Sequence, residues 1–278
     1  MSDKKKLALK YVLIAVFILS ASLMLACEIF KASIFGTGEQ ADVIYSLTSR
    51  FFGITLCFAL VFYCGFSGIL KITRSPFFKS LLYVLPCWAI ALNNFPIIPY
   101  LQRQAHIDSG AGDILLFALQ CLSVGIFEEL AYRGCVFMLV LRNNRDSTKQ
   151  IFKAVIISSA LFGAVHIVNL FAGGGPVAVV LQVGYSFLIG AMCCFVLLKT
   201  GSVWHCALIH AVYNFCGGLV SNYGSGSIWT VSEIALTAIV AVIVTIYVVF
   251  AMFKVSPKEC DRLFEDKKDV AEGEDGNL

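Results

Sequence analysis

Charge is what this sequence has least of. Asp, Glu, Lys and Arg together make up 14% of its 278 residues, against roughly a quarter in a soluble domain. Hydrophobic residues make up 59%, and the mean hydropathy is +0.83. There is apolar surface for a large core but too little polar surface to cover that core in water, which excludes an ordinary soluble globule and leaves the lipid bilayer as solvent. No nucleotide-binding loop, soluble domain or internal repeat is visible, and nothing suggests nucleic acid as a partner. Eleven cysteines are present, yet no C-x-x-C pair or Cys/His spacing points to a zinc knuckle. Cys57, Cys64, Cys121, Cys135, Cys193 and Cys194 sit inside apolar runs, where cysteine behaves as a small hydrophobe.

What the chain does have is long apolar runs. A membrane-crossing helix needs about 20 such residues, and eight segments meet or approach this: about 8–29, 50–72, 79–98, 112–141, 151–171, 176–199, 203–221 and 228–253. The expected fold is therefore all-α, a polytopic transmembrane bundle of about eight spans over residues 1–253. Lys4–Lys6 before the first run resemble a secretory signal, and Ala26–Cys27 a lipoprotein cleavage site. Leu25 fits that site poorly and the run is long enough to span, so an uncleaved first helix is expected. Residues 254–278 are charged and read as a solvated, poorly ordered cytoplasmic tail.

Charge distribution tests this segmentation. Seventeen of the 21 Lys and Arg residues fall on the side shared by both termini. Lys31, Arg50 and Arg103 fall on the other, and Arg133 lies inside a span. The positive-inside rule then makes both termini cytoplasmic, in a multi-pass protein of the cell membrane. Asn93-Asn94-Phe95-Pro96 and Gly173-Gly174-Gly175-Pro176 read as turns; the sharper alternative is a gate beside a substrate path.

Ionisable groups in hydrocarbon cost about 2.5–3.5 kcal/mol each even on lenient insertion scales. Here the fourth span holds Glu128, Glu129 and Arg133, the fifth His166, and the seventh His205, His210 and Asn214. At 3.6 residues per turn Glu129 and Arg133 share a face, with Glu128 about a quarter turn away. Arg133 then neutralises Glu129 and leaves Glu128 facing a cavity. His210 and Asn214 stand four apart on one face, as do Phe162 and His166. At about 1.5 Å per residue, Glu128, His166 and Asn214 fall about 15–22 Å from the cytoplasmic boundary and His210 about 10 Å, so one shared site is geometrically feasible. His205, beside Trp204, reads as an interfacial anchor outside it.

Such a set has two hydrolytic uses. A carboxylate beside an imidazole deprotonates water for attack on an amide carbonyl, while a second imidazole and an amide NH₂ hydrogen-bond the oxyanion. Alternatively Glu128, His166 and His210 hold a divalent metal, Zn2+ or another, with one open position.

The three patterns E-E-x-x-x-R (Glu128 to Arg133), F-x-x-x-H (Phe162 to His166) and H-x-x-x-N (His210 to Asn214), in this order on apolar spans, resemble the CPBP family of CAAX proteases and bacteriocin-processing or immunity proteins, also called Abi. The resemblance covers about 112–221. It implies an eight-helix core with intramembrane endopeptidase activity. By motif, Glu128 would be the general base with His166 assisting, His210 and Asn214 would bind the oxyanion, and Glu129 with Arg133 would support the site. The family is commonly labelled metalloprotease, and a metal-free glutamate mechanism is also argued for it. The implied partner is a membrane-associated or lipidated protein, or a leader peptide, presented from the cytoplasmic side. Two other readings compete: a non-catalytic immunity or scaffolding protein, and a transporter or proton relay, which the lack of repeated halves disfavours.

Overall fold

The computed structural model describes residues 3–72, 77–171 and 173–264. Helices α1 (Asp3–Ile29) and α3 (Glu39–Tyr63) pack together across the short α2 (Lys31–Phe35). A 3-10 turn (Ser67–Leu70) precedes α4 (Phe77–Asn93), α5 (Ile97–Leu101) and strand β1 (Ala105–Ile107). The long fourth rod is α6 (Ala111–Glu129), a π-helical stretch (Leu130–Phe137) and α7 (Met138–Arg142). Next come α8 (Thr148–Val165) with a 3-10 turn (His166–Leu170), α9 (Pro176–Thr200) and α10 (Val203–Tyr223). Strand β2 (Gly224–Gly226), α11 (Val231–Met252) and α12 (Pro257–Asp261) complete the chain.

The ends of these helices follow from local chemistry. The Ser147 hydroxyl accepts from the Gln150 N–H to open α8, and Thr230 does the same for α11 through Glu233. Pro176 at the first turn of α9 sacrifices an N–H that would have no partner there. Gly201 closes the same helix in the left-handed region at φ 69°.

Among the described residues six helices are long and apolar enough to cross a membrane: Ala41–Tyr63, Ala111–Arg142, Thr148–Leu170, Pro176–Thr200, Val203–Tyr223 and Val231–Met252. Tyr11–Cys27 and Leu82–Asn93 are apolar helices of shorter length. Each of the eight expected segments thus contains a helix, but the second was misplaced. Hydropathy put it at 50–72; the helix runs from Glu39 to Tyr63 and ends where Gly65 turns at φ 78°. Its first turns carry Glu39, Gln40 and Asp42, which a search for apolar runs passes over. Arg50 consequently lies within a helix and not in a loop.

Without a hydrophobic drive between them, helices in lipid associate through close backbone approach at small residues. Two glycines bring the central four together. A Cβ on Gly125 of α6 would stand 2.4 Å from the Ala207 carbonyl oxygen of α10, and one on Gly163 of α8 would stand 2.8 Å from that of Val183 in α9. Larger side chains there would force these pairs apart. At one end of the bundle β1 and β2 pair antiparallel, Ala105 opposite Gly226.

The expectation of a poorly ordered tail from residue 254 onward fails for its first part. Cys260 and Leu263 are buried, Phe264 packs edge-on against Phe66, and the Thr148 hydroxyl donates to the Val255 carbonyl. Lys199 Nζ lies 2.9 Å from Glu259 Oε1, and Arg145 Nε lies 2.9 Å from Asp261 Oδ1. A capping box between Ser256 and Glu259 starts α12. The charges that suggested a solvated tail are instead partners for cations at the ends of α7 and α9. Residues 265–278 lie outside the described residues.

Burial pushes the Glu259 carboxyl up, but Lys199, the Ser256 N–H and Arg262 outweigh it and hold the group below its ordinary value. A carboxyl depressed in the folded state adds stability above its unfolded pKa and loses it as pH falls through the folded one. Docking of residues 255–264 should therefore loosen on acidification below the ordinary glutamate range. Glu259→Gln should loosen it at neutral pH by about 1 kcal/mol, the upper end for a partly screened pair. Hydrogen exchange over 257–264, about fivefold faster in the variant, checks this.

Candidate active site

Glu128 and Glu129 sit where α6 gives way to the π-helical stretch, a distortion that recurs at functional sites because it re-aims side chains. The two neighbours enter different surroundings. Glu129 is fully buried. Its Oε1 accepts from His210 Nδ1 at 2.7 Å, and its Oε2 stands 3.0 Å from Arg133 Nε. The Arg133 guanidinium, 1% exposed, lies 4.5 Å over the Phe162 ring. That cation–π contact replaces part of the hydration the cation has lost.

Phe162 is accordingly the packing hub of the site. Tyr132 meets its ring edge-on at 4.8 Å between centroids, His166 at 5.3 Å and His210 at 5.9 Å. The backbone oxygen of Phe162 also takes the Nδ1 hydrogen of His166 at 2.9 Å. A carbonyl can only accept, so Nδ1 of His166 is the protonated nitrogen and Nε2 is left to take a proton. The same reasoning applies to His210. Its Nδ1–H goes to Glu129, and its Nε2 faces Glu128, with Oε2 3.7 Å away.

These groups open into one polar cavity of about 210 Å³ lined by Glu128, His166, His210 and Asn214. All four residues proposed from sequence as catalytic thus come together, from α6, the end of α8, and α10. Glu129 and Arg133 form the buried ion pair expected of them. What sequence reasoning missed is that Glu129 also holds His210, 81 residues away in the chain.

It also missed Gln182, Tyr185, Ser186 and Tyr213, which line the same cavity. Asn169 Nδ2 donates to Gln182 Oε1 at 2.7 Å, tying the turn that carries His166 to α9. An amide alone in the apolar run of α9 was the available signal for Gln182. The turn at Asn93–Pro96 has a positioning role, since Asn94 Nδ2 donates to the Tyr213 carbonyl at 2.8 Å, beside Asn214. His205 does not line the cavity; its neighbour Trp204 donates to the Leu70 carbonyl at 2.7 Å. His106 belongs to β1.

The metal alternative needs three converging donors. Among the described residues no group of three His, Cys, Asp or Glu side chains is placed to hold a metal ion. Glu128, His166 and His210 share the cavity without forming such a set.

Residues 110–216 match the family model described as type II CAAX prenyl endopeptidase Rce1-like. Over this stretch the chain is similar to the Rce1-like domains of the CPBP family. The match begins at the start of α6 and ends two residues past Asn214, so it contains Glu128, Glu129, Arg133, His166, His210 and Asn214. The Rce1-like family is a family of proteases, and the apolar helices make this chain a multi-pass membrane protein. No curated protein and no solved structure matches the chain.

The two adjacent glutamates should respond differently to mutation. Removing one partner of a buried ion pair strands the other, at about 3–5 kcal/mol. Glu129→Ala should lower the thermal unfolding midpoint in detergent sharply. Glu128→Gln, isosteric and at a partly open position, should cost less than about 1 kcal/mol, as substitutions away from buried networks do.

Proposed function

We propose that the protein is an intramembrane endopeptidase that hydrolyses a peptide bond with water activated by Glu128. The observation that carries this reading is the pairing of Glu128 with His210 Nε2 across 3.7 Å on the wall of a polar cavity, inside a bundle with lipid-compatible helices. Glu128 takes a proton from water as the oxygen attacks the carbonyl carbon, with Nε2 of His166 as the assisting base. The oxyanion that forms is held by the Asn214 amide NH₂ and by Nε2–H of His210. That second donor requires His210 to be an imidazolium, since its other N–H is committed to Glu129. The buried Glu129 carboxylate supports that charge. Once Glu128 has taken the proton, Glu129 and the oxyanion stand against Arg133 and the His210 imidazolium, so the site keeps its charge balance through the step. The proton taken up by Glu128 then passes to the leaving amine.

The substrate on this reading is a membrane-associated or lipidated protein, or a leader peptide, offered from the cytoplasmic face. The charge asymmetry supports eight crossings with both termini in the cytoplasm, and it strengthens once Arg50 is placed inside α3, leaving only Lys31 and Arg103 on the far side. The plasma membrane is the location proposed with it.

The test is cleavage of a quenched fluorescent prenyl-cysteine peptide by purified protein in liposomes. Glu128→Gln should lower kcat by about 10²–10⁴-fold. Asn214→Ala should lower it by about 10²–10³-fold as an oxyanion donor is lost. Undiminished turnover by folded Glu128→Ala protein would sink the assigned base.

A further inference from the structure

A peptide drawn into a bilayer carries backbone carbonyls that lose their water, and each must find a donor there. A chain held at Glu128 meets this requirement on both sides of the bond to be cut. Most side-chain donors of the polar cavity are already committed. His166 gives its Nδ1–H to the Phe162 carbonyl, and His210 gives its own to Glu129. On the peptidase reading the Asn214 amide and the second N–H of His210 hold the oxyanion. Gln182 is different. It lines the cavity, is half-buried, and its Oε1 accepts from Asn169 Nδ2 at 2.7 Å. The oxygen and nitrogen of a carboxamide diverge, so Nε2 is turned away from Asn169, and no described residue takes a hydrogen bond from it.

Packing sets the height of this amide. A Cβ on Gly163 would stand 2.8 Å from the Val183 carbonyl oxygen and 3.5 Å from the Phe187 nitrogen, and one on Gly190 would stand 3.2 Å from Ser159 Cα. Helices α8 and α9 therefore run antiparallel, with 163 between 183 and 187 and 159 beside 190. Three residues beyond Gly163, His166 falls opposite Gln182. In the 3-10 turn His166–Leu170, residues three apart eclipse, so Asn169 reaches Gln182 from the side on which His166 meets the cavity. Asn169 is held in turn by the loop that follows. Its carbonyl accepts from the Gly174 N–H at 2.8 Å, and a Cβ on Gly174 would stand 2.8 Å from that oxygen, so a larger residue would push the loop off it.

We infer that Gln182 binds the main chain of the substrate, its Nε2–H donating to a peptide carbonyl beside the bond that is cut, with Asn169 holding the amide in the donating orientation. This rests on the peptidase reading above. A carboxamide suits the task because it donates without carrying charge, so it takes no proton that Glu128 or His166 must handle. The Ser186, Tyr185 and Tyr213 hydroxyls on the same wall can turn to donate or accept, whereas the direction of Gln182 is preset by its neighbour. Standing opposite His166, the amide fixes how far the peptide slides past the site. It reads backbone and not side chain, so it sets the register of the cut without choosing the sequence.

The experiment uses the full-length protein in liposomes and the quenched prenyl-cysteine peptide. The peptide carbonyls flanking the cut bond are exchanged one at a time for thiocarbonyls, which accept hydrogen bonds less well. At one position the exchange should raise wild-type KM about fivefold and leave the KM of Gln182→Met unchanged. On the parent peptide Gln182→Met should raise KM about tenfold, as one hydrogen bond is lost, and keep kcat within about threefold. Asn169→Leu, which frees the amide but keeps it, should raise KM about threefold, and adding Gln182→Met should raise it about threefold again. Gln182→Glu still accepts from Asn169 but offers no donor. It should show the same indifference to the thiocarbonyl, and it serves if Gln182→Met does not fold. A residue that only ties α9 to the turn would give equal KM in both single variants and the double, and that result overturns the inference. So does a thiocarbonyl effect of the same size in wild type and in the Gln182 variants at every position. Wild-type protein that cuts no peptide fails the peptidase reading itself.

Discussion

The site depends on one carboxylate that cannot reach substrate. Glu129 is enclosed on every side, and each oxygen is assigned: one to Arg133 of its own rod, the other to His210 of α10. An isolated carboxylate at that depth would be protonated or excluded. It persists because a guanidinium and an imidazole converge on it, and they converge because glycine at 125 lets α10 close onto α6 while the Phe162 ring of α8 packs against the guanidinium. The buried charge thus couples three helices to the orientation of one imidazole ring. Without that bond the ring could turn either nitrogen toward Glu128, and the donor and acceptor roles across the cavity would be undefined.

Adjacent residues acquire opposite duties through this arrangement. Glu129 is fully buried between Arg133 and His210 and orients the imidazole through Nδ1. Glu128, one place earlier on the helix, contacts the same imidazole only at its second nitrogen and only loosely, so it remains able to exchange a proton with something held between them. Two carboxylates in one low-dielectric site would otherwise compete for ionisation. Here the two are separated by their partners, Glu129 against Arg133 and His210 Nδ1, Glu128 on the cavity wall.

Much of this was legible in the sequence, for a physical reason. Charges in apolar runs are costly enough that Glu128, Glu129, Arg133, His166, His210 and Asn214 stood out, and helical spacing paired Glu129 with Arg133. The Glu129–His210 bond was not legible, because it joins residues 81 apart and depends on how closely two helix axes approach. Nor did hydropathy locate the second span, since the polar first turns of α3 are helical for reasons of chain continuation and packing. Gln182 and Tyr185 were passed over because a single amide or phenol in a span is individually ordinary and gains meaning only from the cavity it faces. The tail misled for the opposite reason. Its charges signal solvent until the cations they meet, Lys199 and Arg145, are known to lie at neighbouring helix ends.

In lipid, apolar area does little to choose between alternative helix arrangements, since lipid chains are as apolar as leucine. Directional bonds must therefore specify the bundle, and the described ones fall at the rods' ends and around the site. Asn94 holds the Tyr213 carbonyl, Trp204 the Leu70 carbonyl and Tyr247 the Tyr83 carbonyl, each across more than a hundred residues of chain. The first of these falls one residue from Asn214, so the bond that fixes the height of α10 also fixes the residue proposed above as an oxyanion donor. Tyr213 is thereby the point at which bundle register and the geometry of the cavity become the same constraint. A slip of α10 by one turn along its axis would break the Asn94 bond, strip Glu129 of its imidazole and carry Asn214 out of the cavity together, leaving no intermediate arrangement in which part of the site survives.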